Sequence, residues 1–438
     1  MLTDWIKSSL AGLYPFLESV KSRITAILPV IVQAFLNIVP ETRHSKKPNY
    51  PENLIQRHFL ATCELDKVQR SSYQLSSPDT ERTPSTMMNS RERVLAAINH
   101  QKLDRIPTDI WATPEIWEKL RKHFETEAET RAALHIDGFA SVGPQYTGPS
   151  LPEVPENESI NLWGMQHKRV DYPTGVYYEQ SFYPLAQAQT IDDLEQYSWP
   201  QADWFDYSEM RGAAEAAREM RVVQCGYMTP FYQHNLLRGL EQSLIDPIDD
   251  PAFTRHLLDR VCDFFYQQHL RMFETCEGLI DVAQVTDDYG SQTGPLIGLK
   301  CFREFYKPHV QRFIDLCHGF GIKVFHHDDG AIRDFLPDLV GMGIDILNPV
   351  QSTCPGMERE GLKRDFGDHL CFHGGIDNQY VLPYGSVEEV RAEVRDAIDT
   401  LASDGAGYIL APCHNLQAVS PVENIVAMYD EAWEYGRL

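Results

Sequence analysis

After Met88 the chain alternates between short apolar runs and longer amphipathic stretches, the order expected of repeated β-α units. The runs that read as strands are Ile106 to Trp111, Gly138 to Val142, Val222 to Tyr227, Leu279 to Val285, Lys323 to His327, Ile344 to Pro349, Leu370 to His373 and Gly407 to Leu410, eight in all. Between them, Pro251 to Glu274, Cys301 to Gly319, Ile332 to Met342 and Ser386 to Ser403 carry helical spacing. In the last of these, Val387, Val390, Val394, Ile398 and Leu401 share one side. Eight such units are accommodated most economically by an α/β fold of the TIM type, a closed (β/α)₈ barrel. The stretch from Asn157 to Trp199, with alternating Tyr, Val and Phe around Pro173-Thr174-Gly175, predicts a β-hairpin inserted after the second strand.

Ahead of this region the pattern fails. Between Glu41 and Thr86 the chain is polar, rich in Pro and Ser, and has no apolar period long enough for a packed element, so it reads as linker. Residues 1–87 are therefore expected to form a mostly disordered extension, and residues 88–438 the folded domain. That domain opens on a helix capped at Asn89 or Ser90, with Val94, Leu95 and Ile98 on its apolar face. The stretch from Ile24 to Pro40 is uncharged and barely of spanning length, and Pro29, Gln33 and Asn37 interrupt it. It argues against a transmembrane helix and lacks the small-residue cleavage site of a secretory signal. Contact with a membrane surface through 24–40 is the lesser alternative.

Charge sharpens the division. The 39 basic side chains face 63 acidic ones, a net of -24. Residues 1–87 hold ten basic and eight acidic side chains, so the acidic excess lies entirely in the folded part. Such a balance argues against nucleic acid as a partner, because phosphate neutralisation needs clustered base. The nine cysteines are odd in number and scattered, which points to free thiols and a reducing, cytoplasmic compartment.

In barrels of this kind chemistry sits at the carboxyl ends of the strands. Here the fourth candidate strand ends in Thr286-Asp287-Asp288-Tyr289-Gly290 and the fifth in His326-His327-Asp328-Asp329-Gly330. The seventh ends in His373-Gly374-Gly375-Ile376-Asp377 and the eighth in Pro412-Cys413-His414-Asn415. Any one of these acids could simply cap a helix. Imidazoles and carboxylates from several strands at one mouth, however, require either a cation or shifted pKa values. A divalent metal, zinc first, is the simpler solution, because His and Asp are ordinary zinc ligands. Cys413 reads equally as a further ligand or as a small buried residue, and strand alternation leaves open whether His326 or His327 points inward. Two His and one carboxylate also match the non-haem iron pattern, which has no diagnostic spacing.

The region from Met88 to the C-terminus resembles the uroporphyrinogen decarboxylase (URO-D) family, and within it the branch near the corrinoid-linked zinc methyltransferases. The resemblance rests on Arg91-Glu92-Arg93-Val94, Asp104-Arg105-Ile106-Pro107, Asp287 to Gly290 with Gly294-Pro295-Leu296, and His327 to Gly330. It continues through Gly343 to Gln351, His373 to Asp377 and Gly407 to Pro412. It implies a TIM barrel, in agreement with the strand count. In the zinc methyltransferases that this chain resembles, His-x-Cys follows the fifth strand and Cys the eighth. The matching positions are His327, Asp329 and His414, so the resemblance implies these three as the metal ligands, with oxygen and nitrogen in place of thiolate.

A second departure concerns the substrate. The family's decarboxylases carry an arginine-rich grip after the first strand, where this chain reads Trp111-Ala112-Thr113-Pro114-Glu115. An octacarboxylate needs paired cations. The expected activity is therefore metal-dependent methyl transfer or demethylation of a small polar substrate. Asp287 and Asp288 would act as acid-base or positioning groups, and Tyr289 and His373 would orient the substrate. The alternative is a tetrapyrrole decarboxylase in which Arg238 or Arg333 replaces the missing grip. A non-catalytic corrinoid- or metabolite-binding barrel would be expected to lose its ionisable strand ends, and this chain keeps them. No Asp-x-His-x-x-Gly corrinoid module is visible, so any corrinoid partner would be a separate protein.

Overall fold

A computed structural model describes residues 87–172 and 175–438. The chain divides into Met1–Glu81 and Arg82–Leu438, and the described residues lie within the second unit. The expectations for the linker and for the stretch 24–40 fall outside the described residues.

The strands are β1 Phe139–Val142, β2 Gln145–Tyr146, β3 Glu158–Ile160, β4 Gln166–Tyr172, β5 Gly175–Phe182, β6 Phe205–Asp206, β7 Val222–Met228, β8 Val282–Thr286, β9 Lys323–His327, β10 Ile346–Asn348, β11 Cys371–Ile376 and β12 Tyr408–Pro412. Seven of them pair in parallel in the order β1-β7-β8-β9-β10-β11-β12, with helices between successive members, which makes an α/β barrel-like fold. The first predicted strand is not regular. Residues 106–112 nevertheless occupy the gap between the two edges: Asp109 N–H bonds to Leu410 O and Leu410 N–H to Pro107 O, each at 2.9 Å, while Asp137 and Gly138 N–H both reach Thr108 O at 3.0 Å. Pro107 has no N–H of its own to offer.

Between β1 and β7 the chain leaves this sheet. There β3, β4 and β5 form an antiparallel three-stranded sheet, and β2 pairs with β6. Glu115 Oε1 accepts from Val176 N–H at 3.2 Å, and the Tyr177 hydroxyl meets Gln417 Oε1, so β5 lies against the carboxyl end of the parallel strands.

The helices form where the apolar period predicts them. Asp250 caps Pro251–Thr275 by accepting from Ala252 and Phe253 N–H, and Phe253, Leu257, Leu258, Val261 and Phe265 make its buried stripe. Each such side chain contributes about 1.5–3 kcal/mol on burial. Helix Val387–Leu401 opens on a capping box of Ser386 with Glu389 and buries Val390, Val394, Ile398 and Leu401. The motif arginines are structural. Arg93 bridges Asp104 and the fully buried Asp137, at 2.7 and 2.6 Å, and Arg105 pairs with Asp137 at 2.8 Å.

Candidate metal centre

His327 ends β9, Asp329 follows two residues later, and His414 lies two residues beyond the end of β12. Alternation along an extended chain puts His327 and Asp329 on one side. The potential ligand atoms of His327, Asp329 and His414 all lie within 4.8 Å of one another. Asp329 Oδ2 is 3.9 Å from His327 Nε2 and 3.6 Å from His414 Nε2. Among the described residues this is the one group of His, Cys, Asp and Glu that close together.

Two glycines allow the loops beneath the cluster to meet. A Cβ at Gly290 would lie 2.3 Å from Asp329 O, and one at Gly330, whose φ is +86°, would lie 2.5 Å from Ser291 O. The two Asp-rich motifs therefore interlock backbone to backbone, which is why each ends in Gly.

The donor set fits a divalent ion. His327 Nδ1 lies 2.5 Å from Asn348 Oδ1. A carbonyl oxygen only accepts, so Nδ1 carries the proton and the unprotonated Nε2 faces Asp329, the state a metal-bound imidazole requires. His414 needs one adjustment, because its Nδ1 accepts from Asn415 N–H at 2.7 Å. Binding through Nε2 would release that bond and move the ring proton. Burial lowers the His414 pKa, favouring the neutral form that ligates. Cys413 is buried with its thiol 3.8 Å from Val350 O and is not one of the three clustered residues. His326 is fully buried, Nε2 3.5 Å from Asp328 Oδ2, and burial depresses its pKa to about 3.

The other predicted site residues separate into two kinds. Asp288 is half-buried beside the cluster, its Oδ1 3.4 Å from Asp329 N, and burial together with the Asp329 charge raises its pKa. Asp287 and Tyr289 are fully buried. Asp287 Oδ1 accepts from Phe231 and Tyr232 N–H at 2.9 Å and from the Thr229 hydroxyl at 3.1 Å, while Oδ2 takes the Tyr289 hydroxyl. Asp287 thus caps helix Pro230–Arg238 from a neighbouring strand, and burial lifts its pKa to about 7. His373 is also fully buried, with Nε2 3.0 Å from Asp109 Oδ2.

Asp109, Trp111 and Asn348 also belong to the site's surroundings, and no motif in the sequence marks them as site residues. Trp111 packs its ring 5.4 Å from that of His327 and 6.3 Å from that of His414. Position alone marks them in the sequence: Asp109 and Trp111 lie at the end of the first apolar run, and Asn348 lies one residue before the end of the sixth.

A cavity of about 600 Å³ opens beside Asp329 and His414. Its wall carries the carboxamides of Gln292, Gln351, Asn378, Gln379 and Gln417 and the phenols of Tyr380 and Tyr384, with no Lys or Arg among the described lining residues. Arg238 is buried against Asp246 at 2.7 Å and against the carbonyls of Leu185 and Ala188. Arg333 pairs with Asp365 and lies over the ring of Phe366. Both arginines are committed to these partners.

Residues 222–435 match the family model described as uroporphyrinogen decarboxylase (URO-D). No curated protein sequence matches the chain. Among solved structures, a methyltransferase from Methanosarcina mazei is similar with a TM-score of 0.53 at 19% identity, over 80% of this chain and 99% of that one. The catalytic core of xylanase A gives 0.32 at 14% identity, over 54% and 84% of the two chains, and a D-tagatose 3-epimerase-like protein gives 0.30 at 12%, over 51% and 83%. The first likeness shows a shared fold. The part that matches the uroporphyrinogen decarboxylase family model runs from β7 to the last helix.

Proposed function

We propose that the protein is a metal-dependent enzyme that transfers or removes a methyl group on a small polar substrate, with residues 88–438 as the catalytic domain, a complete (β/α)₈ barrel with an inserted hairpin, and 1–87 as an extension. The observation that carries the reading is the convergence of His327, Asp329 and His414 within 4.8 Å, with Asp329 and His414 lining the cavity. A divalent ion held by these three side chains, zinc by preference, would supply Lewis acidity toward an oxygen function such as an alcohol, ether or carboxylate, since an oxygen and nitrogen ligand set is less electron-rich than a thiolate one. Asp288 would hold or accept a proton at its carboxylate, next to the cluster and half-shielded from water. Asp287 and Tyr289 would keep that loop in place from below, and His373 would orient His327 and not the substrate. The carboxamides would orient hydroxyl or amide groups by paired donors and acceptors.

The similarity to a methyltransferase fold supports this choice, and a corrinoid carried by a separate protein would be a suitable methyl source or sink. The eight described cysteines are free thiols, which supports a cytoplasmic setting. The tetrapyrrole decarboxylase that the family description names is less well supported, because a polycarboxylate would meet Asp329 with no Lys or Arg among the described residues of the cavity wall. The experiment is metal analysis of the full chain purified without chelator, followed by assays of methyl donors and acceptors with the metal-loaded and metal-free protein. Activity indifferent to metal would defeat the proposal.

A further inference from the structure

A neutral imidazole offers a ligand at only one nitrogen, and nothing within the ring of His327 decides which one. The decision is made three side chains away. His327 Nδ1 lies 2.5 Å from Asn348 Oδ1, Asn348 Nδ2 lies 2.7 Å from His373 Nδ1, and His373 Nε2 lies 3.0 Å from Asp109 Oδ2. All four side chains are buried, so water does not compete for these groups. The far end of the chain has a fixed polarity, because a carboxylate only accepts. His373 must therefore place its proton on Nε2, and in the neutral ring Nδ1 is then an acceptor. Asn348 has to turn its NH₂ toward that acceptor and its carbonyl oxygen toward His327. That oxygen can only accept, so His327 carries its proton on Nδ1 and presents Nε2 to Asp329 and His414.

Further contacts fix the anchor. Trp111 Nε1–H donates to the same Asp109 oxygen at 3.1 Å, and the Tyr429 hydroxyl donates to the Asp109 carbonyl at 2.8 Å. The backbone yields to Asn348 as well. Gly374 has a φ of +95°, and a Cβ there would sit 3.4 Å from Asn348 Nδ2 and 3.3 Å from Pro412 O. Reversing the chain of bonds would require a second proton on His373, an imidazolium enclosed by Trp111, Phe139 and Phe325 at ring distances of 5.8, 5.9 and 5.1 Å.

We infer that Asp109 is a positioning residue that, acting through His373 and Asn348, sets the proton on His327 and with it the atom His327 offers to an ion. Its consequence for metal affinity rests on the metal reading above, whereas the proton placement does not. The test is nitrogen NMR of the full chain labelled with ¹⁵N-histidine, the His327 signals being assigned by their loss in His327→Gln, together with zinc affinity measured by competition with a chelator. Wild type should show His327 protonated at Nδ1 without metal. Asp109→Asn has nearly the same shape, and its carboxamide can turn an N–H toward His373 Nε2, which permits the opposite polarity. In that variant the His327 signals should move toward the Nε2-protonated form and the zinc Kd should weaken about tenfold or more, with the thermal midpoint little changed. A wild-type His327 protonated at Nε2, or signals and Kd unchanged in Asp109→Asn, would overturn the inference. If wild type binds no zinc while the signals behave as expected, the metal reading fails and the proton relay stands.

Discussion

His327 gives its Nδ1 proton to the side-chain oxygen of Asn348 at 2.5 Å, and that single bond turns the other ring nitrogen toward Asp329, 3.9 Å away. The ring is held from behind before any ligand arrives, which lowers the ordering cost of binding an ion.

The two adjacent histidines of β9 should behave differently. His327→Ala should abolish zinc binding at micromolar metal, because it removes one of three protein ligands. His326→Ala should retain binding and lower stability by about 2–4 kcal/mol, a cost typical of emptying a fully buried site. Isothermal titration and thermal unfolding of both variants check the pair, and the opposite pattern would move the ligand to His326.

Asp329→Cys should keep or tighten zinc, since a thiolate is a strong zinc ligand. Competition against a chromogenic chelator measures it. Loss of zinc in this variant would show that Asp329 is not directed at the ion.

Asp287 and Asp288 are neighbours with separate duties. Asp287→Ala removes the acceptor for Phe231 and Tyr232 N–H and should cost about 1–3 kcal/mol of stability. Asp288→Asn should leave the unfolding midpoint nearly unchanged and reduce activity about a hundredfold or more. Equal loss of stability in both would argue against this division.

Acid sensitivity should trace to Asp246. Burial alone would raise its pKa, but hydrogen bonds from Arg238, His234 and Gln242 outweigh that and hold it well below the usual carboxylate range. A depressed carboxylate stabilises the fold above its unfolded pKa of about 3.9, and that contribution is lost as the pH falls through the lower folded value. Asp246→Ala should cost about 3–5 kcal/mol near neutrality, because it leaves Arg238 buried without its partner. The variant should also show a flatter fall in stability below about pH 4. Denaturant titrations across pH give both quantities.

Much of the architecture is legible in the chain because apolar periods persist where helices and strands bury one face. Seven of the eight predicted strands recur within a few residues of their expected bounds. Differences have local causes. Leu370 to His373 becomes Cys371–Ile376, since Gly374 and Gly375 look like a stop in sequence yet continue to pair with Leu410 and Ala411 at φ values of +95° and +97°. Helix Cys301 to Gly319 is interrupted by a π-helical turn at Phe302–Tyr306, which no residue pattern announces. The grouping of His327, Asp329 and His414 is expected from the family resemblance, and their atoms do lie together, whereas the support behind His327 has no such signal. Asp109 lies 264 residues from His373, and Asn348 is a neutral amide 21 residues from His327. No local period links such partners. Asp287 illustrates the opposite case: an acid at a strand end that looks available in sequence is consumed by a helix N-terminus in space.

Elemental analysis of the full chain prepared without chelator decides whether the barrel mouth holds one metal ion. About one divalent ion per chain is expected, zinc first, and none in His327→Ala prepared in the same way. A chain without stoichiometric metal, whose unfolding midpoint is also unmoved by added zinc, iron, manganese or cobalt, would contradict it.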